Sequence, residues 1–166
     1  LLARFPQLLL EGCSGGGGRF DAGMLYYAPQ IWCSDNTDAI NRLTIQYGTS
    51  FFYPAGTMGA HVSAVPNHQT GRVTPFTTRG HVALSGTFGY ELDLNLVSAE
   101  EKQMVKEQLA EFDRYYELTH EGDYYRLAKP GEALMAWGFV AKDQSRAMVT
   151  VVSTDVEGNP LAQHVS

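Results

Sequence analysis

The chain has 166 residues, 44% of them hydrophobic, with 12 Lys/Arg against 18 Asp/Glu and a formal net charge of −6. That length suits about one domain, and so much apolar content excludes a disordered chain. The basic residues are scattered, which argues against a nucleic-acid partner, and no apolar run approaches the roughly 20 residues of a membrane span.

Pro6 precedes an apolar run, and Gln7 to Glu11 reads as a short buried strand of a parallel sheet. The run empties into Gly12, Cys13, Ser14 and four consecutive glycines, Gly15 to Gly18. Bare backbone offers close approach to main-chain N–H groups, because no Cβ intervenes. Arg19 and Asp21 are spaced to pair and hold that loop, and a turn of helix is expected from Asp21 to Leu25. Gln30 to Ser34 reads as a second strand, ending in the acidic pair Asp35 and Asp38. Two strands whose C-terminal ends carry chemistry point to an α/β barrel or an open α/β sheet. From Thr37 the pattern is helical, with Ala39, Ile40, Leu43 and Tyr47 on one face. Ser34 or Asp35 suits its N-cap and Gly48 its end.

Phe51 to Pro54 reads as one more short strand, His61 to His68 as loop, and Thr77 to Ser85 as a short helix. The irregular stretch 49–80 falls where a barrel places a functional loop. Phe88 to Leu94 alternates apolar and polar residues, as a strand does. Ser98 with Glu101 forms a capping box. The helix it opens carries Met104, Val105, Leu109, Phe112 and Tyr116 at helical spacing, leaves Lys102, Lys106 and Glu111 outside, and ends before Gly122. The character then changes to strands at Asp123–Leu127, Ala133–Val140 and Arg146–Ser153, with turns at Lys129–Glu132 and Lys142–Ser145. Glu157 to Pro160 reads as a further turn and Leu161 to Ser166 as a new strand. Both ends of the chain read as internal to a longer polypeptide.

The two cysteines, Cys13 and Cys33, fit a reducing, cytoplasmic compartment and lack the CxxC spacing of a zinc site. Asp35 and Asp38 both suit a helix N-terminus, where the dipole favours carboxylates. Asp35, closer to the strand and with Trp32 nearby, also suits a general acid. A helix N-terminus favours the charged form, whereas a general acid must hold its proton. A second carboxylate nearby, or partial desolvation against an aromatic ring, resolves that tension. The glycine loop lacks both the GK[ST] ending of a P-loop and a GxGxxG layout, and bare N–H groups suit sugar hydroxyls equally well. His61, His68 and His81 are seven and thirteen residues apart and match no metal-ligand spacing. Tyr124 and Tyr125 read as strand packing.

Cys13 to Asp21 (CSGGGGRFD), Trp32 to Ile40 (WCSDNTDAI) and Arg42 to Gly48 (RLTIQYG) closely resemble glycoside hydrolase family 36, the bacterial-type α-galactosidases. Met58 to Ser63, Val65 to Thr70 and Gly86 to Asp93 match as well, in order and at family-like spacing. The resemblance implies an α/β fold: the C-terminal portion of a (β/α)₈ TIM barrel, about its last three strands, over residues 1–121. The start of an antiparallel β domain would follow over 122–166, both parts incomplete. It implies a retaining α-galactosidase acting on α-galactoside oligosaccharides such as melibiose and raffinose, without cofactor or metal, with tetramers common in the family. Asp35 falls on the acid/base position. Cys13, Ser14, Gly15, Gly16, Trp32 and Asp35 fall on the galactose pocket, while Asp38 carries no catalytic role. The family's nucleophile, an aspartate in a Lys-Trp-Asp motif, does not occur in residues 1–166. These residues alone are therefore expected to lack useful hydrolysis, and to fold poorly because the barrel sheet is left with open edges. A raffinose-synthase-like galactosyl transferase and a catalytically incomplete sugar-binding piece are the rival readings.

Overall fold

The computed structural model describes residues 1–155, and the turn at Glu157–Pro160 and the strand at Leu161–Ser166 lie outside them. In chain order the elements are β1 (Glu11–Gly12), α1 (Ser14–Gly17), α2 (Ala22–Leu25), β2 (Gln30–Trp32), α3 (Ala39–Thr49) and a 3₁₀ turn (Ala55–Thr57). There follow β3 (Met58–Ser63), α4 (Phe76–Ala83), β4 (Thr87–Glu91), α5 (Ala99–Glu121), β5 (Asp123–Ala128), β6 (Leu134–Val140) and β7 (Ala147–Ser153). Strands β1 to β4 form one parallel sheet in sequence order, and β5 to β7 one antiparallel sheet. This is the expected partial barrel followed by β structure, with four parallel strands rather than about three.

The parallel strands lie side by side in steps that keep their C-terminal ends together. Gly12 is level with Ile31, Trp32 with Gly59, and Ser63 with Glu91. In β3 the side chains alternate. Met58, Ala60 and Val62 are buried and belong to the two apolar clusters among the described residues. Gly59 and His61 point to the opposite face, where a Cβ on Gly59 would meet the Trp32 ring at 2.9 Å.

One cluster joins the two sheets. Ala39, Leu43, Met58, Val82 and Leu118 pack with Met135, Trp137, Phe139 and Val152. The antiparallel sheet thus buries one face against α3 and α5, while Val149 and Val151 remain exposed on the other. Arg126 of β5 adds a polar tie, donating from Nε to the Ser50 hydroxyl at 2.9 Å beyond the end of α3.

Several expectations are corrected. The Gln7–Glu11 strand pairs only at Glu11 and Gly12, because β2 begins at Gln30 and leaves Gln7 to Leu10 nothing to pair with; Leu8 and Leu9 are exposed. Phe51 to Pro54 is a turn, since the N–H groups of Phe52 and Tyr53 both bond back to the Thr49 carbonyl at 3.1 Å. His61 to Ser63 is strand rather than loop. The cap of α3 is Asp38, not Ser34 or Asp35, and the helix runs past Gly48 to Thr49. Helix α5 keeps its capping box but buries Gln108, Leu118 and Thr119, leaving Leu109 and Tyr116 exposed and Glu111 half-buried. Gln108 goes inward because it is used. Its amide donates to the Phe76 carbonyl at 3.2 Å and its oxygen accepts from the Tyr90 hydroxyl at 2.8 Å.

The shared core sets the first test. Phe139, 1% exposed, is expected to cost about 3–5 kcal/mol of stability on Phe139→Ala. Val149→Thr, on the outer face of the same sheet, should stay within about 0.5 kcal/mol of the parent. Urea denaturation of both variants measures the difference.

Candidate active site

The turn after β1 is left-handed. Ser14, Gly15, Gly16 and Gly17 have φ of 53°, 69°, 79° and 87°, and the Gly17 N–H closes the turn on the Cys13 carbonyl at 2.8 Å. Consecutive left-handed residues cost L-amino acids about 1–2 kcal/mol each, whereas glycine adopts them freely. The turn also lies against the segment leaving β2. A Cβ on Gly16 would stand 3.0 Å from the Asp35 amide nitrogen and 3.1 Å from its carboxyl, and one on Gly17 would stand 2.7 Å from the Cys33 carbonyl oxygen. Two distant stretches of sequence therefore meet main chain to main chain, with the Asp35 carboxyl beside bare backbone.

Residues 33–38 are fixed by bonds on both sides. Asn36 N–H donates to the Ser34 hydroxyl and Asp38 N–H to the Asn36 side-chain oxygen, each at 3.1 Å. The Thr37 carbonyl accepts from Ser63 at 2.8 Å, and its hydroxyl accepts from Asn67 at 3.1 Å. Asp38 is fully buried, caps α3 and pairs with Arg72, so its role is structural. From α3, the Arg42 guanidinium reaches back under the segment. It donates to the Asn36 carbonyl (Nε, 2.7 Å), the Ser34 carbonyl (Nη2, 2.7 Å) and the Gly59 carbonyl (Nη1, 3.0 Å), with the Cys33 sulfur also 3.0 Å from Nη1. Its Cζ stands 4.2 Å from the Trp32 ring centroid. Burial lowers the Arg42 pKa, opposed by Cys33 and by the carboxylates of Glu91 and Asp35.

What these contacts leave is an open cleft of about 410 Å³ at the C-terminal ends of the parallel strands, walled by Glu11, Cys13, Trp32, Asp35, His61, Tyr90 and Glu91. Asp35 and Cys13 are exposed into it, whereas Trp32 is buried and contributes part of its ring. Gly16 backs the Asp35 carboxyl. Ser14 and Gly15 are exposed in the adjoining turn and are not among the walls. Arg19 and Asp21 approach at 3.7 Å, but Asp21 chiefly caps α2, accepting from Met24 N–H at 2.8 Å. Both cysteines are free, and burial pushes the Cys33 thiol up, so it is protonated at neutral pH.

Glu11, His61, Tyr90 and Glu91 were not assigned to the site from sequence. His61, Tyr90 and Glu91 lie in the C-terminal halves of β3 and β4, and Glu11 opens the two-residue β1; for His61 that signal was hidden because β3 read as loop. The His61 ring lies 4.7 Å from that of Trp32. Burial pushes the imidazole below its ordinary value and Arg42 acts the same way, against Glu11 and Glu91. Burial raises Tyr90 to about 12, so its phenol stays neutral and donates to Gln108.

A sequence profile described as Melibiase matches residues 1–122. The chain belongs to the melibiase family. Melibiase relatives include the bifunctional α-galactosidase/sucrose kinase AgaSK of Mediterraneibacter gnavus, 62% identical over 99% of this chain and 18% of its own length. Another is the α-galactosidase AgaA of Geobacillus stearothermophilus, 57% identical over 96% of this chain and 22% of its own. The chain thus spans about a fifth of the length of the curated relatives it matches. Among solved structures, the galactosidase domain of AgaSK superposes with a TM-score of 0.97, covering 99% of this chain and 23% of that one. A glycoside hydrolase family 36 AgaA variant in complex with raffinose superposes with a TM-score of 0.96 at 54% identity, with the same coverage.

Two outcomes are expected. Gly16→Ala should cost more than about 1 kcal/mol, since it adds left-handed strain to a contact with Asp35. Gly48→Ala, where a Cβ meets open space inside α3, should instead gain a few tenths to about 1 kcal/mol. Thermal denaturation distinguishes the signs. For His61, the folded pKa lies below the unfolded value near 6.5, so between those values the unfolded state binds more protons. Its contribution is therefore constant above that range, and stability falls as pH drops through it. Denaturation midpoints between pH 5 and 7.5 should depend less on pH in His61→Gln than in the parent.

Proposed function

We propose that these residues form the acid/base half of the active site of a retaining α-galactosidase. It would release terminal non-reducing α-galactosyl groups from oligosaccharides such as melibiose and raffinose by double displacement. The observation that carries this reading is the Asp35 carboxyl held against the backbone of Gly16, in a cleft at the C-terminal ends of parallel strands. Sites of barrel enzymes gather at that end. The names of the relatives support the activity, as do the raffinose and stachyose bound in solved AgaA variants.

In the intact enzyme the nucleophilic carboxylate comes from residues other than these. It attacks the anomeric carbon while Asp35 gives its proton to the departing glycosidic oxygen, leaving a galactosyl ester. Asp35 then takes a proton from water. That water attacks the anomeric carbon, frees galactose and returns the nucleophile to its charged form. A retaining geometry places the two carboxyl groups about 5–5.5 Å apart. The exposed side of Asp35 is where the partner must stand, because Gly16 covers the other. Trp32 gives the sugar part of an apolar ring at the cleft wall, and the exposed turn of Ser14 and Gly15 adjoins it without side-chain bulk at Gly15. Residues 1–121 belong to the catalytic barrel in this reading, and 122–166 to the β domain that supports it.

The test is Asp35→Asn in the intact enzyme. Turnover of galactosides with poor leaving groups should fall by about 10²–10⁴-fold, the usual worth of general acid catalysis. Substrates with acidic leaving groups should lose far less in the first step, and azide should restore rate by replacing base-assisted water. Equal losses on both substrate types, with no azide effect, would remove Asp35 from the acid role.

A further inference from the structure

We propose that Arg42 is the positioning residue of the acid. It fixes the carbonyls of the residues on either side of Asp35, and the Trp32 ring, so that the carboxyl is aimed at the glycosidic oxygen. The inference rests on the reading of Asp35 as the general acid.

Arg42 is 3% exposed, and among the described residues no carboxylate lies within 4.0 Å of its guanidinium nitrogens. A buried cation without a paired carboxylate costs several kcal/mol unless its donors are satisfied. A methionine or leucine would fill the volume without that cost. What the guanidinium supplies is a rigid planar fork of donors.

That fork is spent on the backbone around the acid. Nη2 takes the carbonyl of Ser34, immediately before Asp35, and Nε the carbonyl of Asn36, immediately after it. Nη1 takes the carbonyl of Gly59, in β3. One planar group thus ties both flanks of residue 35 to the neighbouring strand, while its face packs on Trp32.

Arg79 is the useful contrast. It is equally buried and also binds carbonyls, those of Thr74 and Ser63, but it has Glu101 at 3.7 Å and touches neither flank of Asp35. Ordinary anchoring of a loop therefore accounts for Arg79. The two bonds that bracket a single exposed carboxyl set Arg42 apart. Lysine in its place carries the charge but cannot hold three carbonyls in one plane.

The experiment is Arg42→Lys in the intact enzyme, read as the ratio of kcat/KM on a galactoside with a poor leaving group to kcat/KM on dinitrophenyl galactoside, because kcat/KM reports the first step alone, in which Asp35 acts as the acid. Both are measured on one sample, so the ratio does not depend on how much of the protein is folded. A carboxyl displaced by about 1 Å loses about 10²-fold. The expected result is therefore a ratio lowered by about 10²-fold, with KM for the poor substrate changed less than about 3-fold. If Arg42→Lys yields no soluble enzyme, Arg42→Gln, which keeps planar donors without the charge, is read in the same way. An unchanged ratio, with both rates reduced together or not at all, overturns the inference and leaves Arg42 as packing alone. Asp35→Asn measured in parallel separates the two claims. If it leaves the ratio unchanged, the acid assignment falls and this inference with it. If it lowers the ratio while Arg42→Lys does not, only the role of Arg42 is lost.

Discussion

The backbone of residues 16 and 17 lies so close to the backbone of residues 33 and 35 that a Cβ at Gly17 has no room and one at Gly16 would force Asp35 to shift. The geometry of the cleft follows from that contact. A left-handed turn at residues 14–17 brings the chain leaving β1 against the segment leaving β2, and only glycine adopts that conformation repeatedly without strain. Any Cβ at position 16 would push on the Asp35 carboxyl itself. The glycine run is therefore a packing surface first.

A second constraint acts from below. The β2–α3 connection contains Ser34, Asn36, Thr37 and Asp38, each of which is held by a named partner, and leaves Asp35 as the one carboxyl turned outward. Loops that carry chemistry need this kind of support, because a mobile carboxyl spends its time away from the reacting atoms. Here the support is mainly hydrogen bonds to carbonyls, which fix peptide planes, rather than apolar packing, which fixes volume. Arg42 does most of it from α3, while Arg79 of α4 holds the carbonyls of Thr74 and Ser63, the latter in the residue whose hydroxyl bonds Thr37. Those helices are held in turn by the cluster they share with Met135, Trp137 and Phe139, so the antiparallel sheet contributes to the site without touching it.

The pattern of residues alone determined the glycine turn, the strand before Asp35, the helix carrying Leu43, the capping box at Ser98 and the three antiparallel strands. These depend on local rules: backbone freedom, alternation, helical spacing and capping act within a few residues and leave their mark in composition. The resemblance carried by the CSGGGGRFD and WCSDNTDAI segments supplied the family and the placing of Asp35. Tertiary structure alone decided the rest. Leu8 and Leu9 look like core but lie where no strand pairs with them, and Phe51 and Phe52 look like a strand but spend their N–H groups on the end of α3. Gln108 is polar yet buried, because two partners far away in sequence satisfy it. Arg42 has no mark in its own neighbourhood that points to the carbonyl of Gly59, which comes within its reach only when α3 is docked on β3. In each case the outcome turns on which groups from distant parts of the chain arrive as partners, and no window of a few residues contains that information.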